Sequence, residues 1–381
     1  MTGAAVPEVT RAQVLAHRLA TNRFDRTVTD PDDLAIVDLG VQDSPAGSAV
    51  LALAARLPVD PDGAPVAVPD GWLLVWSVRG APHVHRRRDL AALARALWPA
   101  DDADAAARLA ASARTLADGG LAPVAGLRAT AEALAAVLTE PLAKGAASAA
   151  LTAAAPAACS AWCRGCQVVH VSEQLMRLAA LPAGARIEPG TSPPVLARIP
   201  RWAGPPAGHE GGRALVAAYL RLHGPAAAAD VAAYLQASRA AVTADWPAGL
   251  AEVRVDGRRA WLPADLLDDL VAAPDPGELD VVRLLPRSDP WLTARDRTLT
   301  VPDPAHRRAL WPTLGQPGAV LAGGEVVGTW RTRAAGRRLD VAVRPFGPRL
   351  PAGVARAVEA EAAVVAATRG AADVRVAVEG G

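Results

Sequence analysis

At 381 residues the chain is longer than one ordinary small domain, and about 150 residues per domain suggests roughly two or three. Apolar residues make up 51% of it, enough for sizeable cores, although alanine inflates the figure. Basic and acidic residues nearly cancel, 40 against 39, which excludes a polybasic tail or a globally basic nucleic-acid binder but leaves room for a local basic groove.

In chain order, residues 10–23 place Val14, Leu15, Arg18 and Leu19 at helical spacing behind Thr10, a candidate N-cap. A second short helix is expected from Asp30 to Leu39, ended by Gly40. A third follows Ser44-Pro45, serine as the cap and proline at the first helical position, into AGSAVLALAARL. In GWLLVWSVRGAPHVHRRRD the apolar run around Arg79-Gly80 reads as a β-hairpin. Short helices followed by a hairpin are the order of a winged helix. The stretch from Trp76 to Val84 is echoed from Trp162 to Val171, and each leads into a helix bearing leucine and arginine, Asp89 to Trp98 and Ser172 to Leu181. The echo implies a second such unit.

The proline-rich stretch Ile187 to Pro206 reads as a connector with some extended strand. Residues 211–263 give helices around a Gly-Pro break and a hairpin turning at Asp256-Gly257, a third winged helix. From Val281 the pattern is strand-like, with turns at Gly323-Gly324 and Ala334-Ala335-Gly336, and a helix from Pro351 to Arg369 closes the chain. The expected class is α+β, with tandem winged-helix (helix-turn-helix) domains and a C-terminal antiparallel β-domain. The boundaries are 9–100 for the first winged helix, 101–206 for the second with its connector, 207–275 for the third, and 276–381 for the β-domain with its terminal helix.

All the cysteines fall between Cys159 and Cys166, which argues against a disulfide-stapled secreted protein. The start MTGAAVPEVTRAQ lacks a basic stretch followed by an apolar signal core, and no apolar run is long enough to span a bilayer. A cytoplasmic protein without a membrane partner is expected. Cys159, Cys163, Cys166 and His170 give C-x3-C-x2-C-x3-H, in which Cys163-Arg164-Gly165-Cys166 resembles a zinc-knuckle turn. Genuine sites usually draw a second ligand pair from a separated segment, and His170 has a counterpart in His83, so neither metal nor cofactor is assigned.

Lysine occurs once, at Lys144, so 39 of the basic residues are arginine, a planar fork donor suited to phosphates and guanine edges. Arg79, His83 and His85, followed by Arg86, Arg87 and Arg88, make the first hairpin the most cationic stretch, a candidate for phosphate contact or a solvated charge run beside Asp89. Arg164 repeats Arg79 in the second hairpin. Gln42, Asp43 and Ser44 stand where the chain enters the third helix. They can be structural, with Ser44 capping, Asp43 favouring the helix N-terminus and Gln42 filling the turn, or they can project into a groove and orient a water.

The strings LGVQDSPAGSAVLALAARL, WSVRGAPHV, LRLHGPA, LLPRSDPWLTARDR and PGAVLAGGEVVGTWRTR, in this order from about Val9 to Phe346, resemble the winged-helix DNA-binding family that includes the AlkZ and YcaQ DNA glycosylases. The resemblance implies a curved array of winged helices with a C-terminal β-domain gripping duplex DNA. The implied activity is excision of N-alkylated purines or unhooking of crosslinks. The family's catalytic motif is Gln, an apolar residue, then Gln or Asp. Counting back from Ala55-Arg56-Leu57 places its first position on Gln42 and its third on Ser44. Asp43 in place of an apolar residue and Ser44 in place of an amide or carboxylate are departures. The family also implies that SDPWLTARDR faces DNA, making Asp289 and Arg297 supporting contacts, against the alternative of a local ion-pair network holding a loop. Trp291 and Trp330 are expected in the core.

A Walker-type phosphate loop, GxGxxG and GxSxG are all missing from the sequence, which counts against nucleotide hydrolysis and serine-hydrolase chemistry. The expected protein is a monomeric DNA-repair hydrolase that binds double-stranded DNA. The rival is a non-catalytic winged-helix DNA-binding or regulatory protein, and a third class is a small-molecule or protein-binding module.

Overall fold

A computed structural model describes residues 5–59 and 65–379. Contacts divide the chain into two compact units, one of Met1–Pro69, Ala218–Asp230 and Ala248–Gly381, the other of Asp70–Ala217 and Val231–Pro247.

In the first unit, helix Arg11–Thr21 begins as the sequence predicts. Thr10 accepts from the Gln13 amide, and the Gln13 side chain returns the bond, a complete capping box. The second expected helix is divided into a 3-10 turn, Pro31–Asp33, and a helical turn, Ile36–Leu39, ended by Gly40 at φ 80°. The third starts later than expected, at Ser48, and runs to Ala54. Strands Leu250–Val255 and Arg258–Pro263 form the expected hairpin, whose turn residues Asp256 and Gly257 both have positive φ, the geometry that matches the twist of paired strands.

The sheet of this unit joins Val282–Leu285, Gly318–Ala322, Glu325–Ala335 and Arg338–Pro345 as antiparallel neighbours. Helix Ala352–Thr368 lays Val358, Ala362 and Val365 over Leu284, Val341 and Val343. Here the sequence expectation needs two corrections. The helix does not close the chain, because Asp373–Val378 follows as a strand, and that strand runs parallel to Arg338–Pro345, so the sheet is mixed rather than antiparallel. A parallel neighbour requires a long crossover, which the helix provides. Gly318 permits a close approach in this sheet. A Cβ there would lie 2.4 Å from Trp330 Nε1, which instead donates to the Leu285 carbonyl at 2.8 Å. Trp291 and Trp330 are in the core, as expected.

In the second unit, strands Trp72–Trp76 and Pro82–Arg86 pair with Leu74 opposite Val84. Ala185–Ile187 joins this hairpin at Leu74, and Val195–Arg198 pairs with Ala185–Ile187 in turn. The extended part expected within the Ile187 to Pro206 connector is strand Val195–Arg198, whose pairing satisfies its backbone groups despite the prolines around it. A separate hairpin, Ser160–Cys163 with Val168–Val171, confirms the second predicted hairpin. Helices Leu90–Leu97, Asp102–Leu109, Pro123–Val137, Lys144–Ala154 and Glu173–Ala180 enclose a core of Trp76, Trp98, Leu109, Leu134, Leu151 and Leu175. No helix among the described residues is long and apolar enough to cross a membrane.

Candidate active-site loop and basic surfaces

Gln42 ends the short strand Val41–Gln42 and is half-buried. The chain then passes Asp43 and a cis Ser44-Pro45 bond and turns at Gly47, φ 85°, into helix Ser48–Ala54. The side chain that caps this helix is Asp43, not Ser44. Its carboxylate accepts from the Ala49 amide at 3.0 Å, with the amides of Gly47 and Ser48 also directed at it. The left-handed turn at Gly47 delays the first helical residue, so Asp43 rather than Ser44 reaches the open N–H groups. Burial pushes the Asp43 carboxyl above the usual carboxylate range, against the pull of those amides.

The loop is held from the sheet side by Arg287 and Ser288. Ser288 Oγ donates to the Gln42 carbonyl at 3.2 Å, and Arg287 Nε donates to the Ser44 carbonyl at 3.2 Å. Asp289, expected to support DNA contacts, is instead 0% exposed. Its two oxygens accept from Nη1 and Nη2 of Arg56 at 2.8 Å each, and Arg56 is equally buried. Paired bidentately, with Oδ1 also accepting from the Trp291 amide at 2.9 Å, and closed off from solvent, this carboxylate is out of reach of an external ligand. Arg56 also donates to the Ala52 carbonyl and to Asn22 Oδ1, and its guanidinium lies 4.4 Å from the Phe24 ring. Asn22 in turn donates to the carbonyl of Arg18, whose guanidinium pairs with Asp296 at 2.5 Å and reaches the carbonyls of Gly224 and Pro225. The ion-pair reading of SDPWLTARDR therefore holds for Asp289 and Asp296. Arg297 lies against the Trp311 ring at 4.5 Å, half-buried, and burial lowers its pKa.

Beside the loop lies a cleft of about 210 Å³, lined by Pro45, Ser48, Arg287, Gln316, Trp330, Arg331, Thr332 and Arg369 among others. Arg369 donates to Thr332 Oγ1 at 2.5 Å and Arg331 to the Gly315 carbonyl. Three guanidiniums and no carboxylate among its described lining residues give the cleft a cationic wall. Sequence reasoning missed it because Arg287, Arg331 and Arg369 are far apart along the chain; the signal available was the excess of arginine over lysine.

In the second unit the cationic hairpin divides into buried and exposed parts. Arg79, at φ 61°, donates to the Tyr234 carbonyl at 2.8 Å and lies 4.5 Å from that ring. His83 and His85, expected at the DNA surface, are 1% and 2% exposed and meet on Ser77 Oγ at 3.1 and 2.9 Å, so as folded neither reaches a phosphate. Burial keeps both imidazoles neutral, pushing His83 well below its ordinary value and His85 down to about 3. Arg86 is half-buried and pairs with Asp89 at 3.3 Å. Arg87 and Arg88 are exposed, Arg87 donating to the Pro200 carbonyl at 3.1 Å, and Arg164 is exposed on the second hairpin. Of the possible zinc ligands, Cys159 is buried with its sulfur 3.9 Å from the Gly126 carbonyl, whereas the ligand atoms of Cys163, Cys166 and His170 lie within 4.8 Å of one another.

A family model described as DNA glycosylase AlkZ-like matches residues 36–368. No curated protein matches the chain. Among solved structures, the chain is similar to the DNA glycosylase AlkZ of Streptomyces sahachiroi, with a TM-score of 0.70 and 22% identity over 98% of this chain and 100% of that one. At that identity the likeness concerns the fold.

Proposed function

The chain belongs to the AlkZ-like DNA glycosylase family, and on that premise we propose that it hydrolyses the N-glycosidic bond of N-alkylated or crosslinked purines in double-stranded DNA. The helix-and-hairpin segments at 9–100, 101–206 and 207–275 act in this reading as winged helices, with 276–381 as the β-domain. Alkylation at N3 or N7 makes the purine cationic and hence a good leaving group, so no strong general acid is required. The protein has to hold a water near C1′ and stabilise an oxocarbenium-like sugar, which positioning and fixed charge accomplish.

Gln42 orients the water in this reading, and Ser44 Oγ assists it. Asp43, tied to the helix amides, contributes negative charge without moving. The observation that carries the proposal is the placement of this loop: its carbonyls are clamped by Arg287 and Ser288, and Pro45 and Ser48 form one wall of the arginine-lined cleft. Such a cleft receives a backbone phosphate next to the attacking water. The capping bond of Asp43 supports the rival, a non-catalytic DNA-binding protein in which the loop only starts a helix.

Release of free modified purine from N7- or N3-alkylated duplex DNA separates the two. Wild-type release that falls at least ten-fold in a Gln42→Ala, Ser44→Ala double variant supports the catalytic reading. Unchanged excision by that variant removes the water-orienting role, and duplex binding without any excision by the wild type selects the rival.

A further inference from the structure

The hairpin Ser160–Cys163/Val168–Val171 carries a cluster that the excision chemistry does not use. We propose that Cys163, Cys166 and His170 bind one borderline-soft divalent cation, zinc by preference, which staples the tip of this hairpin. This departs from the sequence reading, in which four residues within one short segment were set against the usual separated ligand pairs.

The ligand atoms already lie within 4.8 Å of one another. Two thiolates and an imidazole on a tetrahedral zinc stand roughly 3.5–4 Å apart, given metal–ligand distances of about 2.3 and 2.1 Å, so closure needs only small side-chain rotations. The turn is built for it. Gln167, at φ 55°, donates its amide to the Cys163 carbonyl at 2.8 Å, and the amides of Gly165 and Cys166 point at the Cys163 sulfur.

His170 arrives from the opposite strand, paired with Ala161. Its Nδ1 is 2.6 Å from the Val171 carbonyl, and since a carbonyl can only accept, the proton is on Nδ1. That leaves Nε2, a buried atom, to face the Cys163 thiol beside it. A ring nitrogen oriented by a backbone carbonyl is the outer-sphere arrangement typical of metal-ligating histidines. The nearby Glu173 carboxylate is occupied by Lys144 and Arg177, so the fourth position is left to water.

There is also a structural demand for the ion. Trp162, Val168 and Val169 are 59%, 51% and 57% exposed, so little apolar burial holds the outer part of the hairpin, whereas its base is anchored in the core by Val171, and paired strands without such burial are marginal. Soft thiolates with an imidazole select zinc over magnesium or calcium. Cys159, sealed in the core, is outside the set.

The test is titration of the full-length, reduced, chelator-stripped chain with Co2+, followed by displacement with Zn2+. Expected are saturation at one equivalent, a thiolate-to-cobalt charge-transfer band with intense tetrahedral d–d bands, and bleaching by zinc. Cys163→Ser and Cys166→Ser each abolish the charge-transfer spectrum, His170→Gln weakens cobalt affinity at least ten-fold, and Cys159→Ala leaves the spectrum intact. Absence of the band at stoichiometric cobalt, or its survival in the Cys163→Ser, Cys166→Ser double variant, overturns the proposal. Trapping Cys163 and Cys166 as a disulfide in chain isolated from reducing cytosol overturns it equally.

Discussion

Replacing Asp289 with asparagine tests whether this residue holds the buried Arg56 or touches DNA. Both members of the Arg56–Asp289 pair are 0% exposed and joined by two bonds of 2.8 Å. Removing one charge from a buried pair leaves the other uncompensated, at a cost of about 3–5 kcal/mol. Asparagine still accepts one bond, and Asn22 and the Ala52 carbonyl remain on Arg56, so the lower end, about 3 kcal/mol, is expected. Urea unfolding followed by tryptophan fluorescence reads this directly, because Trp291 packs edge-on against Phe24, 5.7 Å away, beside the same guanidinium. With a slope of about 3 kcal/mol/M, the midpoint falls by about 1 M. An Arg56→Met, Asp289→Leu double variant, which removes both charges while filling the volume, recovers most of the loss. A variant Asp289→Asn with an unmoved midpoint and weakened duplex binding would refute the argument and return Asp289 to the DNA surface.

Other outcomes follow from the same geometry. Asp43→Ala loses a helix cap and costs about 1 kcal/mol, whereas Ser44→Ala leaves stability unchanged; equal effects in urea titrations of the two would contradict the capping assignment. Arg331→Ala combined with Arg369→Ala reduces the slope of log affinity against log salt for duplex DNA by about two if the cleft takes phosphates, and an unaltered slope rejects it. Stability falls with acid. His17 and His85 titrate in the folded chain at about 4 and about 3, below their unfolded value of 6.5, so between these limits the unfolded chain binds more protons. Each therefore costs roughly 1.4 kcal/mol per pH unit below 6.5, with His83 adding in the same direction and the raised Asp43 opposing. Urea midpoints that stay flat from pH 7 to pH 5 would show these imidazoles to be solvated.

Local signals in the sequence were legible where one short segment determines the outcome. Thr10 and Gln13 specify a helix start by themselves, and Asp256-Gly257 specifies a hairpin turn. The start of helix Ser48–Ala54 was misplaced because Ser44-Pro45 is a strong local signal overridden by the turn at Gly47. Strand Asp373–Val378 was invisible because its partner lies across a helix, and alternation over so few residues says nothing about pairing. At the candidate site, Gln42 through Ser44 could be found by their resemblance to a motif, but the supports of that loop could not. Arg18, likewise, stands at an apolar helical position, where an arginine is buried only if paired, and the pairing with Asp296 lies far along the chain. His83 and His85 looked like surface cations because charge runs suggest solvent. Their strand register turns them inward onto Ser77 instead.

The spacing between the loop and its clamp has a consequence for biosynthesis. Gln42 and Ser288 are separated by 246 residues, and the intervening chain includes all of the second compact unit. At about 5–20 residues per second, a ribosome needs roughly 12–50 s after delivering Gln42 before Ser288 exists. The second unit can acquire its core during that interval, while the loop still lacks the Arg287 and Ser288 clamp. Nascent chains stalled between these positions should therefore carry a protected second unit and a protease-sensitive loop, and any activity that depends on the loop should appear only late in translation.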